Sequence, residues 1–118
     1  MTVKIIAEAG VNHNGDLSLG QRMVETASEC GADIIKFQSF NASASISKSA
    51  RKAGYQQKNF PSSETQLEMV SKFELSRKAH KELIRTCMEC NIEFMSTAFD
   101  IQSLAMLSDL GVAKNLKI

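Results

Sequence analysis

The chain has 118 residues, which allows one compact domain and leaves little room for two. Its hydrophobic fraction of 43% and charged fraction of 23% are typical of a globular protein and exclude a disordered one. The formal net charge of +1 gives no overall attraction to nucleic acid or membranes, and no apolar run approaches the roughly 20 residues of a membrane span. We therefore expect a cytoplasmic protein that binds neither nucleic acid nor membranes.

The first half of the chain alternates predicted strands and helices. Residues 3–7 are a short, apolar, β-branched run, which predicts a buried strand. Asp16 is a suitable N-cap for a helix with an apolar stripe, and Gly31 is a suitable stop. Residues 34–38 predict the second strand. Residues 39–62 then form a long polar stretch, and loops of this length are often functional in compact domains.

The second half of the chain repeats this alternation. Three helices are framed by capping residues and stops: Ser63 with Gln66 as a capping box, Ser76 to Asn91, and Asp100 to Gly111. Residues 92–97 predict the third strand, and residues 115–118 predict the start of a fourth.

Strands that alternate with helices imply a parallel sheet with right-handed crossovers. Two architectures remain open at this point: a free-standing open sheet, or part of a (β/α)8 barrel, which needs about 250 residues. A last strand is seldom left at four residues with nothing after it. The pattern therefore favours the N-terminal portion of a TIM barrel, with about three and a half β/α units in residues 1–118.

Polar side chains collect where the predicted strands end, which is the edge at which parallel α/β proteins bind ligands. Lys36 and Gln38 share one face of the second strand, opposite Ile35 and Phe37. A lysine among these apolar residues is costly to bury without an anionic partner, although it could instead extend to the rim and keep its charge in water. Lys117 repeats the pattern in the predicted fourth strand.

Two lysines on neighbouring inward faces predict a site for phosphate or carboxylate, with Ser96 and Thr97 as hydroxyl donors. Glu8 could accept hydrogen bonds from a polyol or sugar, or it could be a structural carboxylate that holds Lys36. His13 could be a base or a metal ligand, although a lone loop histidine more often makes backbone hydrogen bonds.

Charge is unevenly distributed despite the neutral total. No acidic residue occurs between Asp33 and Glu64, and the same stretch holds five basic residues: Lys36, Lys48, Arg51, Lys52 and Lys58. Such a field suits an anionic ligand, and a solvated basic loop is the alternative interpretation.

The three cysteines are too few, and odd in number, for a disulfide framework. Cys87 and Cys90 form a C-x-x-C pair, but no second Cys or His pair at zinc spacing lies nearby. We interpret both as ordinary buried or half-buried thiols, with a redox pair as the alternative, and expect Cys30 to pack as well.

Several segments in order resemble one family, the sialic acid synthases, which includes N-acetylneuraminate, legionaminate and pseudaminate synthases and spore-coat polysaccharide relatives. The segments are 5–15 (IIAEAGVNHNG), 31–38 (GADIIKFQ), 55–56 (YQ), 66–69 (QLEM), 73–76 (FELS), 80–83 (HKEL), 94–100 (FMSTAFD) and 117–118 (KI). They cover nearly the whole chain and match the N-terminal half of the family.

The resemblance implies a TIM barrel that is usually followed by a small antifreeze-like domain. It also implies a reaction in which phosphoenolpyruvate condenses with an open-chain N-acetylated amino sugar, such as N-acetylmannosamine, to give a nonulosonic acid and phosphate. A divalent metal, Mn²⁺ or Mg²⁺, polarises the sugar aldehyde in that family.

The resemblance also implies roles for residues of this chain. Glu8 and Lys36 are the catalytic candidates, and Glu8 matches a residue that contacts the sugar. The residues that match the substrate-binding positions are Lys36, Thr97 and Lys117 for phosphoenolpyruvate, with Gln38 and Phe99 lining the same site.

The chain departs from the family in two respects. Ala98 stands where the family's Ser-Thr-Pro-Phe segment has proline, which removes no chemical group. The family's metal-binding histidines and its antifreeze-like domain would lie beyond Ile118, and neither His13 nor His80 matches a metal ligand. We therefore expect this chain to lack the metal ligands and to be inactive alone. It would be a fragment of a longer synthase or would pair with another copy, as a dimer, since an open half-barrel leaves its edge strands bare. The alternative is a non-catalytic module that binds an anion or assembles through those edges.

Overall fold

The structure is a computed structural model that describes residues 2–45 and 65–118. Three parallel strands form one sheet in the order β1-β2-β3. The elements are β1 (Ile6–Gly10), α1 (Leu17–Glu29), β2 (Ile34–Ser39), α2 (Ala42–Ser45), α3 (Gln66–Ser71), α4 (Arg77–Glu89), β3 (Glu93–Ala98) and α5 (Ile101–Asp109). The predicted α/β class with parallel strands is confirmed.

Three helices begin at the predicted caps. The side chains of Asp16, Ser76 and Asp100 each accept a hydrogen bond from a backbone N–H in the first turn of the helix, three residues further along the chain. The donors are Leu19, Ala79 and Ser103, respectively. Each bond satisfies one of the N–H groups that a helix start leaves without a partner.

The first strand is shifted relative to its prediction. It begins at Ile6 and continues to Gly10, so Glu8 lies inside the strand rather than at its end. Ile34, the first residue of β2, pairs with Ile6, so Val3 has no residue of β2 opposite it and is 88% exposed. Strand propensity alone does not form a strand without a partner for the ladder.

The capping box of α3 lies two residues later than predicted. Thr65 Oγ1 accepts from the N–H of Glu68, and the Glu68 carboxylate accepts from the N–H of Thr65 at 2.7 Å. The sequence offers the same spacing twice, and the charged Glu68 makes a stronger reciprocal bond than Gln66 would. Ser63 lies outside the described residues, as does most of the polar stretch 39–62 with its basic side chains.

One face of the sheet is covered by α1 and α4, which contact each other. Ile35 and Phe37 point into this layer and are 1% and 0% exposed. Phe37 stacks on Phe94 of β3 with ring centroids 5.6 Å apart. Because successive side chains of a strand point to opposite faces, Lys36 and Gln38 lie half-buried on the other face of the sheet, as predicted.

The predicted fourth strand is wrong. Residues 112–118 are irregular, and Lys117 and Ile118 are exposed. Asn115 uses its side-chain amide to contact the Glu93 carboxylate at 3.0 Å, and no ladder forms along β3. The described residues therefore make three β/α units, and within them no strand pairs with the outer edge of β1 or β3. None of the helices described is long and apolar enough to cross a membrane.

The cysteines differ in their surroundings. All three are free, and Cys87 is buried in the layer between α4 and the sheet. Burial, with a smaller contribution from Cys90, raises the pKa of the Cys87 thiol to about 12, so it is inert near neutral pH. The expectation that Cys30 packs is wrong: it lies exposed at the end of α1, where the chain turns toward solvent.

Candidate active site

An open cleft of about 760 Å³ lies at the carboxyl ends of the three strands. The six side chains to which the family resemblance assigns roles all line it. The lining residues are Glu8, Gly10, Val11, Asn12, Lys36, Gln38, Thr97, Ala98, Phe99, Lys117 and Ile118. The geometry thus brings Lys36 and Lys117 to one cavity, although Lys117 lies in an irregular segment and not in the predicted fourth strand.

Glu8 and Lys36 form an ion pair in this cleft. They are register partners on β1 and β2, and Lys36 Nζ lies 2.8 Å from Glu8 Oε2. The lysine side chain is 18% exposed and that of the glutamate 48%. The carboxylate therefore holds Lys36, as one interpretation of the sequence expects, and its exposed side has room to accept hydrogen bonds from a ligand.

A β-bulge shapes the cleft beside this ion pair. The β1–β2 register slips between Glu8 and Gly10, and Gly10 adopts φ of 56°. A Cβ at Gly10 would lie 3.4 Å from Glu8 Oε1 and 3.7 Å from Gln38 Nε2. These are ordinary contact distances, so it is the left-handed backbone of the bulge, and not crowding, that favours glycine here.

Thr97 and Ser96 lie on opposite faces of β3. Thr97 pairs with Gln38 in the parallel register and faces the cleft. Ser96 is 3% exposed, does not line this cleft and hydrogen-bonds Ser39 on the helix side at 2.6 Å. The expectation that Ser96 donates to a bound anion is wrong, because adjacent residues of a strand alternate between faces.

The open side of the cleft is formed by Phe99 and the C-terminal segment. Phe99 is 55% exposed, meets Phe40 edge to face at 6.5 Å, and its N–H donates to the carbonyl of Ser39. Lys117 is exposed, and its Nζ donates to the carbonyl of Ile118 at 2.9 Å. This exposed ammonium could exchange its hydrogen bond to the carbonyl for one to an anion in the cleft.

His13 makes the backbone hydrogen bond expected of a loop histidine. The ring is fully buried, and its Nδ1 accepts from the N–H of Gly15 at 2.9 Å. Burial, with a smaller contribution from His80, lowers the pKa of His13 and keeps the ring neutral. His13 does not line the cleft, and its Nε2 has no hydrogen-bond partner.

The described residues do not offer a divalent-metal site. Among residues 2–45 and 65–118, no three His, Cys, Asp or Glu side chains come together as ligands. Of the described residues that line the cleft, Glu8 alone has a side-chain carboxylate, and that carboxylate is paired with Lys36. The prediction that metal ligands lie outside this chain remains a prediction.

Sequence reasoning missed a buried polar cluster behind the cleft. Ser39 Oγ lies 2.7 Å from His80 Nε2 and 2.6 Å from Ser96 Oγ, and all three residues are buried. The signal was present in the alternation: Ser39 continues the helix-facing row after Phe37, and Ser96 continues the row after Phe94.

The described residues form a parallel sheet with an open cleft at the carboxyl ends of its strands, and among them no strand pairs with the outer edge of β1 or β3. This is the arrangement expected of part of a TIM barrel. The comparisons agree with this class. The NeuB family model matches residues 23–118, so the chain belongs to the NeuB family.

Named relatives are synthases of nonulosonic acids. The chain is 56% identical over 108 residues to the N,N'-diacetyllegionaminic acid synthase of Campylobacter jejuni, covering 92% of this chain and 32% of that protein. It is 52% identical over all 118 residues to the enzyme of that name from Legionella pneumophila, of which it covers 33%. The solved N-acetylneuraminic acid synthetase of Leptospira borgpetersenii, in complex with citrate, superposes with a TM-score of 0.78 at 35% identity over 100% of this chain and 36% of that one.

The chain spans about a third of the length of the curated relatives it matches. The three-stranded sheet is therefore part of a TIM barrel, as the sequence resemblance implies, and the described residues contain only one side of the barrel's ligand-binding edge.

Proposed function

We propose that this chain supplies the phosphoenolpyruvate-binding side of a nonulosonic acid synthase, as part of a longer enzyme. The observation that carries the proposal is the convergence of Lys36, Lys117 and Thr97 with Glu8 on one cleft at the carboxyl ends of parallel strands. Membership of the NeuB family supports the same reaction class.

Binding would rest on charge and hydrogen bonds to the two anionic groups of phosphoenolpyruvate. Lys36 and Lys117 supply ammonium donors, and Thr97 supplies a hydroxyl in the same cleft. The phosphate of the substrate carries about −1.5 to −2 near neutral pH, and its carboxylate adds a further charge. Among the described lining residues, two lysines and one glutamate give a formal charge of +1, so further cationic groups from other parts of the enzyme would be needed to balance the substrate.

The sugar would lie on the Glu8 side of the cleft. The half-exposed Glu8 carboxylate can accept from sugar hydroxyls while it keeps Lys36, and Gln38 can donate or accept through its amide. The exposed ring of Phe99 offers an apolar face at the open side. The two relatives with 56% and 52% identity support the N-acetylated precursor of diacetyllegionaminic acid as the sugar.

In the proposed reaction, C3 of phosphoenolpyruvate forms a bond to the aldehyde carbon of the open-chain sugar. Water adds at C2, and inorganic phosphate leaves with cleavage of its C–O bond. Lys36 and Lys117 would balance the charge of the phosphate before and after it leaves. The described residues do not bring together ligands for a divalent metal, so a metal that polarises the sugar aldehyde would be held by other parts of the enzyme.

A phosphate-release assay tests this proposal. The full polypeptide that carries residues 1–118 should release phosphate from phosphoenolpyruvate only when an N-acetylated amino sugar and Mn²⁺ are present. Lys36→Ala should abolish most of this activity, whereas Lys4→Ala, at the opposite end of the sheet, should not. Glu8→Gln should raise the KM for the sugar more than that for phosphoenolpyruvate. Phosphate release that is independent of the sugar would contradict the proposal.

The second candidate is a non-catalytic module that binds an anion or assembles through its sheet edges. The unpaired outer edges of β1 and β3 among the described residues favour it for the 118-residue chain by itself. The isolated chain should then be inactive and form dimers in sedimentation experiments. Turnover by residues 1–118 alone would refute their catalytic incompleteness.

A further inference from the structure

Three buried side chains form a continuous hydrogen-bonded row behind the cleft, on the helix side of the sheet. His80 Nε2 lies 2.7 Å from Ser39 Oγ, which lies 2.6 Å from Ser96 Oγ. The exposures of His80, Ser39 and Ser96 are 1%, 0% and 3%. The other ring nitrogen, Nδ1, lies 2.8 Å from the carbonyl oxygen of Ser76 at the start of α4.

The carbonyl oxygen of Ser76 determines which groups donate and which accept along this row. A carbonyl oxygen only accepts, so Nδ1 of His80 carries the hydrogen that is donated to Ser76. Burial lowers the pKa of His80 more than the Ser76 bond raises it, so the ring is neutral. Its Nε2 then accepts from the Ser39 hydroxyl, which in turn accepts from the Ser96 hydroxyl.

The row ends at the residues beside the cleft groups. Ser39 directly follows Gln38, and Ser96 directly precedes Thr97, while Gln38 and Thr97 pair with each other in the β2–β3 register. Because strand side chains alternate, a fixed hydroxyl on the helix face fixes the direction of its neighbour on the cleft face. The backbone of Ser39 is held further by the N–H of Phe99 at 3.0 Å.

We propose that His80 is a positioning residue for the cleft: through Ser39 and Ser96 it fixes the carboxyl ends of β2 and β3, and so the orientation of Gln38 and Thr97. Apolar packing could fill the same space, but it tolerates small shifts. Directed hydrogen bonds between buried groups specify one arrangement, because any shift leaves a polar atom unpaired.

Two variants break the row, and a third variant provides the control. His80→Phe keeps a ring and removes the acceptor, while Ser39→Ala breaks the row at its middle. Thr86→Val removes another buried hydroxyl from the same helix. That hydroxyl accepts from Gln21 of α1 at 3.1 Å, far from the cleft. His80→Gln restores an acceptor near the Nε2 position.

The first measurement does not depend on the proposed function. The NMR order parameter of the Thr97 methyl group is measured in the full polypeptide without ligand. It should fall in His80→Phe and Ser39→Ala, stay at the wild-type value in Thr86→Val, and recover in His80→Gln. An unchanged Thr97 methyl group in folded His80→Phe or Ser39→Ala would overturn the proposal. So would an equal loss of order in Thr86→Val, or failure of both row variants to fold, which would assign the row to stability alone.

The second measurement rests on the proposed function. The dissociation constant of phosphoenolpyruvate should rise about 2- to 10-fold in Ser39→Ala, the range for one misplaced hydrogen bond, and stay unchanged in Thr86→Val. If wild-type protein does not bind phosphoenolpyruvate, the proposed function fails and the Thr97 methyl result still decides whether His80 positions the cleft. Wild-type affinity in Ser39→Ala would overturn the positioning role while leaving the proposed function intact.

Discussion

Lys36→Met removes the ammonium from the cleft and keeps most of the apolar stem. A hydrogen bond to a charged group contributes about 1.5–3 kcal/mol. The Lys36 side chain is only 18% exposed, so solvent screens its interaction with phosphoenolpyruvate only in part. Glu8 already forms an ion pair with Lys36 at 2.8 Å and is 48% exposed. Because Lys36 must share its charge between Glu8 and the substrate, the gain from binding phosphoenolpyruvate is smaller by about 0.5–1 kcal/mol. The remaining 1–2 kcal/mol, about 5- to 30-fold, is the expected loss of affinity for phosphoenolpyruvate.

Isothermal titration calorimetry of phosphoenolpyruvate into the full polypeptide, at fixed ionic strength, measures this loss. Lys4→Met is the matched control, because Lys4 forms a 3.7 Å ion pair with Glu93 at the amino-terminal edge of the sheet. The affinity of Lys4→Met for phosphoenolpyruvate should stay within about twofold of wild type, because Lys4 is an exposed charge more than a Debye length from the cleft. Equal affinity in Lys36→Met and wild type would refute the role of Lys36. Equal weakening in Lys36→Met and Lys4→Met would show that only the net charge of the protein matters.

Three further predictions concern stability and reactivity. In Gly15→Ala the new Cβ would overlap the carbonyl oxygen of Lys72, so the free energy of unfolding, measured by thermal denaturation, should fall by more than about 2 kcal/mol. In the control Gly111→Ala, where φ is similar but the space is open, it should fall by only about 1 kcal/mol. Burial lowers the pKa of both buried histidines, His13 and His80, below the ordinary value of 6.5. The free energy of unfolding should therefore be highest above pH 6.5 and decrease as the pH falls through the folded-state pKa values of the two rings. A melting temperature that stays constant between about pH 7.5 and 5.5 would contradict this. A maleimide at neutral pH should label Cys30 quickly and Cys87 only on unfolding, and mass spectrometry of the native protein would expose the opposite order.

Much of the fold could be predicted because local rules and tertiary packing agree. The period of two in residues 34–38 correctly assigned Phe37 to the core and Lys36 to the cleft. Asp16 and Asp100 were identifiable as caps because a short oxygen-bearing side chain before an apolar stripe has few other uses.

The errors arose where pairing partners decide the structure. Val3 and residues 115–118 have strand-like composition, yet a strand forms only where a neighbouring strand can complete its ladder. The bulge before Gly10 was invisible for the same reason, since a register slip belongs to two strands and not to one segment. The two adjacent hydroxyl residues, Ser96 and Thr97, could not both donate to an anion in the cleft, because the alternation that continues from Phe94 places Ser96 on the helix side.

A structure of the full polypeptide with phosphoenolpyruvate bound tests most directly whether the two lysines serve one anion. We expect the Nζ atoms of Lys36 and Lys117 to lie within about 3.2 Å of oxygen atoms of the same phosphoenolpyruvate molecule, with the Thr97 hydroxyl also in contact. A substrate bound elsewhere, or one that only a single one of these ammonium groups reaches, would contradict the convergence of both lysines on a common site.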